Sequence, residues 1–418
     1  MIVSTPYALG NRAPARVEEP ADAPRLAGTL AAAAESGSAV VIFGGSTLQS
    51  IGNAPQRYDV AISLRKLDRV LQYDPRELTI GLQAGITLEG VARALAQARQ
   101  FIPFDAPLPR RATVGGTLAA GWAGPRRAAY GHLRDLLIGS TVALTDGSLV
   151  NAGGMVVKNV TGYDMSRLYV GSLGTLGAIV RANFKTLPRP PRQRLAIAPL
   201  ADEIRERTLT ALETLAIEPA AALVVDGFFE RVPRLRDEDA RLLVLFEGSG
   251  AVIDRATREL RSALGKCGIA ETLLFDETAA ADVLQNTIDA YIEPLEDRSV
   301  TYRSTGLPQT VWQRALAVCG IASDCDARFD FIADIRTGDA IVRVAGTSGA
   351  RTAALLGELD AGVRAAVPGL TVLAGDPALR AQIDAWGTPP STMETLRAIK
   401  TRFDPTASLA PGRYVGGL

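Results

Sequence analysis

Histidine occurs once in the 418 residues, as His132, and cysteine three times, as Cys267, Cys319 and Cys325. One imidazole cannot build a histidine-rich zinc or iron site, and it confines the commonest general base near neutral pH to a single position. The cysteines lie far from any CxxC spacing, so neither a disulfide framework nor a cysteine-ligated cluster is expected, and each reads as a reduced, packed thiol. No metal site is expected. An excess of either charge is missing too: 45 basic residues meet 45 acidic ones, which leaves no global field for nucleic acid or an anionic membrane. No apolar run approaches bilayer length, and residues 1–16 lack the basic-then-apolar plan of a signal peptide, so a cytoplasmic location is expected. Neither GxGxxG opening a helix nor GxxxxGK[ST] is present. That argues against a nicotinamide Rossmann enzyme and a P-loop NTPase.

What the chain has is apolar residues, at 47%, and 40 glycines. It can bury a large core and is expected to divide into two or three domains. The organising stretch runs over residues 106–188. It contains Thr113-Val114-Gly115-Gly116, then Tyr130-Gly131, then Gly162-Tyr163-Asp164, then Gly171-Ser172-Leu173-Gly174-Thr175-Leu176-Gly177. Glycines set between apolar segments let backbone N–H groups approach a bound anion or a flat ring closely. Upstream, a helix over 25–36 and a strand over 39–43 deliver the chain to Gly44-Gly45-Ser46-Thr47. A loop of that kind offers consecutive N–H donors to a pyrophosphate, with the hydroxyls of Ser46 and Thr47 as further donors.

Elsewhere, strands are expected over 60–64 and 77–82, a helix over 88–99 capped by Thr87, and a hairpin over 136–151 turning at 145–148. Residues 1–20 read as a flexible or strap-like leader, and the proline-rich 187–192 as a stiff linker at a domain boundary. Beyond it, strands over 222–227, 241–248, 328–336 and 340–345 mix with helices over 251–266 and 351–367. That order suggests a small antiparallel sheet with helices on one face. A final helix is expected over 391–402.

At Gly115-Gly116, Tyr130-Gly131, Gly162-Tyr163-Asp164 and the run from Gly171 to Gly177, the chain resembles the vanillyl-alcohol-oxidase (PCMH) type of FAD-binding oxidoreductase. Within that group it is similar to the E-subunit family of bacterial glycolate oxidases, which are glycolate dehydrogenases. The resemblance implies an α+β fold: a two-part PCMH-type FAD-binding domain plus an α+β cap domain with an antiparallel sheet. The FAD-binding domain would span 1–190, as α/β subdomains of about 20–68 and 69–190. The cap would span 191–385, and residues 386–418 would return to the FAD domain. Gly44, Gly45, Ser46 and Thr47 match the family's first pyrophosphate loop, and Thr113, Gly115 and Gly116 its second glycine stretch. Gly124, Gly131 and Asp135 match a later turn, and Gly174 with Ile179 the stretch from adenine to flavin. The cofactor implied is FAD, bound non-covalently. The partners implied are a catalytic flavin subunit, an iron–sulfur subunit and a small 2-hydroxy acid substrate, with any membrane association made only through partners.

The sequence also departs from the family. No histidine follows His132 to form the metal- and substrate-binding cluster of the cap. Leu173 stands where Gly-Ser-Glu-Gly is common, Ala410 where Asn-Pro-Gly is, and Phe43 where an arginine often precedes the first loop. No catalytic base can be named. Three readings follow: the flavin subunit of a glycolate or related dehydrogenase, a non-catalytic assembly subunit with a retained flavin fold, or a self-sufficient FAD oxidase of another alcohol or acid. His132 reads as a packing or surface residue. Lys158 is either a solvated strand-end residue or a cation beside the reduced ring. Tyr163, Asp164 and Arg167 suggest a structural corner. Arg110, Arg111, Arg126 and Arg127 flank the cradle, and Arg303 and Arg336 lie in the cap; each can clamp a carboxylate or simply face water. Trp122, Trp312 and Trp386 are expected as core or interface anchors.

Overall fold

The computed structural model describes residues 6–156, 163–227, 240–290, 292, 299–325, 327–346 and 352–418, apart from the side chains of 352–356, 378 and 379. The chain divides into two compact units. The first comprises Met1–Ala123, His132–Pro188 and Thr371–Leu418; the second comprises Gly124–Gly131 and Arg189–Leu370.

In the first unit, Asp22 caps the helix Ala23–Glu35 by accepting the Arg25 amide. The helix buries Leu26, Leu30 and Ala33, spaced as one helical face requires. The strands Arg16–Glu18, Val60–Ser63 and Val40–Phe43 form a parallel sheet in that order. The expected leader thus contributes a strand, because three extended residues suffice to pair along the edge at Val60–Ser63. A second sheet, antiparallel throughout, runs in the order Val70–Asp74, Thr79–Gln83, Ala178–Lys185, Leu137–Ala143 and Leu149–Gly153. The last two strands are the expected hairpin, and Thr87 caps the helix Leu88–Ala96 as its sequence suggests.

One core joins these layers. Leu26 and Leu30 of the helix pack with Val40, Val60 and Ile62 of the parallel sheet and with Ala143, Ala178 and Val180 of the antiparallel one. Leu409 completes that cluster. It lies beside Val40, whose amide donates to Ser408 O at 2.7 Å and whose carbonyl accepts the Ala410 amide at 2.8 Å. The chain's last residues therefore extend the parallel sheet near its start.

The proline-rich stretch over 187–192 is not a bare linker. Leu187–Pro188 pairs with Gln100–Phe101, and a nine-residue strand begins at Arg192. Proline is tolerated in so short an edge pairing because few ladder donors are at stake.

In the second unit the strand order is Leu273–Asp276, Arg192–Leu200, Ala240–Gly248, Ala221–Asp226, Ala327–Asp334, Asp339–Gly346, Ser299–Thr305, antiparallel at each pairing. The helices Gly250–Lys266, Glu277–Asp289 and Val311–Asp324 pack against it. Among the described residues no helix is long and apolar enough to cross a membrane.

Candidate functional site

The first glycine loop follows the strand Val40–Phe43, and its backbone is unusual. Ser46 takes a left-handed conformation at φ 60°, which costs a non-glycine residue energy and persists where neighbours enforce it. From Gly45 to Gln49, the five backbone amides donate to no protein acceptor among the described residues. Gly45 and Leu48 are nevertheless buried, and Ser46, Thr47 and Gln49 half-buried. Backbone donors removed from bulk water are nearly always paired, so a consecutive run of unpaired ones is a concavity suited to an anion.

The second loop stands opposite. Thr113 caps the short helix Val114–Ala119 by accepting the Gly116 amide at 3.3 Å. A Cβ on Gly44 would overlap the Thr113 hydroxyl, and one on Gly45 the Arg111 carbonyl. A Cβ on Gly115 would sit 2.7 Å from Ala84 Cβ. These glycines are needed first for the two loops to close on each other and on Ala84, a demand the sequence reading had placed on ligand approach. The third loop is anchored by amides of Gly171 and Leu173, which donate to Leu118 O at 2.9 Å and Ala119 O at 2.8 Å. Positive φ at Gly171, Leu173 and Gly174 lets it bend there.

Together the three loops line a narrow, open cleft. Of the residues singled out from sequence, Gly44, Gly45, Ser46, Thr47, Thr113, Gly115, Gly116, Gly174 and Ile179 line it. Gly124, Gly131 and Asp135 do not. Gly124 and Gly131 bound the segment that packs within the second unit. Asp135 accepts the His132 amide at 3.1 Å, while His132 Nδ1 accepts the Arg134 amide at 3.2 Å. The single histidine is thus engaged in a capping box at the helix Leu133–Leu136.

Sequence reasoning missed Arg413, which also lines the cleft. It is 3% exposed, and its guanidinium donates to Gln49 O at 3.0 Å and Ile51 O at 2.8 Å, fixing the far end of the first loop. Burial, with Arg380 nearby, draws its pKa down to about 10. No local pattern in Pro411-Gly412-Arg413 says that its arginine returns to residues 49–51.

Most of the other candidates have structural partners. Arg110 pairs with Glu89 at 3.1 Å, Arg126 with Glu247 at 3.1 Å, Arg127 and Arg303 with Asp339 at 3.0 and 2.7 Å, and Arg336 with Glu218 at 2.8 Å. Arg111 makes no ion pair or side-chain hydrogen bond among the described residues. Trp122 donates to Asp105 O, and Trp386 to Arg413 O, each at 3.0 Å. Trp312 lies under the Arg205 guanidinium at 4.0 Å. At the expected corner, Asp164 and Arg167 pair at 2.8 Å and Tyr163 O accepts the Met165 amide at 2.9 Å, while the Tyr163 side chain is exposed. Lys158 lies outside the described residues.

This cleft and its sheets define a PCMH-type FAD-binding fold. The chain superimposes on p-cresol methylhydroxylase with TM-score 0.70 and 17% identity, covering 97% of this chain and 90% of that one. It superimposes on alkyldihydroxyacetonephosphate synthase with TM-score 0.68 and 16% identity, covering 95% and 77%. At such identities the likeness speaks for the fold alone. Residues 14–166 match the family model described as FAD binding domain. The chain is 40% identical to glycolate oxidase subunit GlcE of Escherichia coli over 149 residues, 34% of this chain and 43% of that protein. It is 30% identical to glycolate oxidase subunit GlcD of Bacillus subtilis over 215 residues, 51% of this chain and 46% of that protein. The match thus spans less than half the length of these relatives.

Proposed function

We propose that this chain is the FAD-binding subunit of a dehydrogenase complex acting on glycolate or a related 2-hydroxy acid. The observation that carries the cofactor part is the run of five unpaired amides at residues 45–49, facing a glycine-lined cleft. In this reading those amides hold the pyrophosphate, with the hydroxyls of Ser46 and Thr47 beside them. Thr113, Gly115, Gly116, Gly174 and Ile179 flank the remaining length of the cofactor, while Gly124, Gly131 and Asp135 contribute as turn-formers. The second unit acts as the cap. When bound, FAD supplies the acceptor for a hydride from the hydroxyl-bearing carbon of the substrate.

Binding is non-covalent in this proposal, because the only histidine is engaged in a helix cap away from the cleft lining. Electrons leave through partners. The chain's own thiols are scattered, and Cys267 and Cys319 are buried, so an iron–sulfur centre belongs to another subunit. Substrate oxidation would involve a second flavin subunit resembling this one. A second reading, a flavin-binding assembly subunit without turnover, is favoured by the engaged histidine, which leaves no imidazole as base.

The decisive experiment is the visible spectrum of the purified chain, repeated on the supernatant after acid precipitation, followed by addition of glycolate. A flavin band that moves to the supernatant supports non-covalent FAD. A band that stays with the pellet would overturn it. Bleaching by glycolate only when the partner subunits are present supports the complex, and steady turnover by this chain alone would refute it. Absence of bleaching in the complete complex would favour a different substrate or the assembly role.

A further inference from the structure

A second cavity, of about 380 Å³, adjoins the first glycine loop and shares Ser46, Gln49 and Arg413 with the cofactor cleft. Its lining comes entirely from the first unit and includes Arg111, Arg380 and Arg413, with Asn11, Ser50 and Asn53 among its polar members. Among the described residues no acidic one lines it. Arg380 donates to Gly52 O, and Arg413 to Gln49 O and Ile51 O; neither has a carboxylate partner among the described residues. Arg413 Nε is buried and bonds to nothing in the protein. Asp384, next to Ala385, whose amide donates to the Asn53 carboxamide oxygen, is engaged by the Asn53 amide group at 3.0 Å and by the amides of Trp386 and Gly387.

Buried cations are ordinarily matched by acids or bound anions, since an uncompensated buried charge is costly. Here two guanidiniums sit close enough for Arg380 to depress Arg413, and burial brings both to about pKa 10. A third, Arg111, is exposed at the same cavity. Guanidinium forks recognise carboxylate and phosphate oxygens in the same bidentate geometry.

We propose that this cavity is a second anion site, separate from the FAD site, that takes a small dianion carrying phosphate or carboxylate groups between Arg111, Arg380 and Arg413. The inference rests on assigning the neighbouring cleft to FAD. Through Arg413 and residues 49–52, an anion held here stiffens the same loop whose amides face the cofactor. Occupancy of this site therefore tightens retention of the flavin.

The test is calorimetric titration of the flavin-loaded full chain with inorganic phosphate and, separately, with oxalate. Saturable binding of either supports the site, and the tighter of the two identifies the ligand's charged group. R111Q, an exposed position without partners, should weaken binding about tenfold with flavin content unchanged. R380Q should weaken it further, its folding checked by thermal melting. Release of flavin from a dilute sample should slow at saturating anion. No saturable binding, binding insensitive to both substitutions, or anion that displaces FAD would overturn the proposal, the last by assigning the arginines to the cofactor's own pyrophosphate. Should the purified chain carry no flavin, the same titration still decides whether the anion site exists.

Discussion

Lys400 and Asp404, one helical turn apart, form a buried ion pair with Nζ 2.6 Å from Oδ2, their side chains 10% and 0% exposed. The ammonium also donates to Thr175 O at 2.9 Å and Leu409 O at 2.8 Å, and the carboxylate accepts the amides of Ser408 and Leu409. Burial pulls the Lys400 pKa down while Asp404 pulls it up. The pair ties the final segment both to the third glycine loop and to itself.

Replacing one member should therefore cost much more than replacing both. K400M leaves a buried carboxylate without its cation, and an expected loss of about 3–5 kcal/mol follows. The double variant K400M/D404L should recover part of that loss. Urea unfolding of the flavin-free protein measures these two and D404L, and a double-variant loss equal to the sum of the two single losses would show that the pair is not coupled.

The glycines make a sharper contrast. G45A places a methyl on the Arg111 carbonyl, so the first loop has to move and flavin content should fall severely. G28A adds a methyl to the helix Ala23–Glu35 where nothing lies within 4 Å. It should stabilise by about 0.5–1 kcal/mol with flavin content unchanged. Absorbance at equal protein concentration, with thermal melts, distinguishes the two.

Asp334, at the end of the strand Ala327–Asp334, is pushed up to about 7 by burial, against the opposing pull of the Arg336 and Thr337 amides at 2.9 and 3.0 Å. The folded form thus holds a proton that the unfolded chain releases near its ordinary value of 3.8. Stability from this group is full below that value, falls as pH rises towards about 7, and changes little beyond. D334N should flatten this decline, worth about 1–4 kcal/mol, in unfolding curves taken between pH 5 and 8. An unchanged slope would place the titration elsewhere.

Thiol chemistry offers a simple check on packing. Cys267 and Cys319 are buried and Cys325 is partly exposed. Burial, with Asp226 and Asp330 nearby, also pushes the Cys319 thiol up to about 12. One equivalent of a disulfide reagent should react rapidly with the native protein and three after denaturation. C325S should abolish the rapid phase.

Much of the first unit was legible because its signals are local. Strand-then-glycine order marked residues 44–47, Thr87 announced its helix by its capping hydroxyl, and the hairpin carried its own turn. What escaped depends on partners distant in sequence. Arg16–Glu18 is too short for a periodicity to show, and the prolines of 187–192 concealed one edge pairing and the start of a long strand. The glycine requirement at Gly44 and Gly45 comes from Thr113 and Arg111, and Arg413 acquires its role only through residues 49 and 51. Spacing along the chain carries no record of such encounters.

The parallel sheet at Val40 is completed by Ser408 and Ala410. On the ribosome, the loop at residues 44–47 is made long before the strand-like segment at 408–410 that finishes its sheet. Long-range closure of this kind is slow, and partly built intermediates expose apolar surface and unpaired edges. The nascent chain must hold residues 44–47 beside an incomplete sheet until residues 408–410 have emerged, so this early loop takes its final form only after a segment distant in sequence has been made.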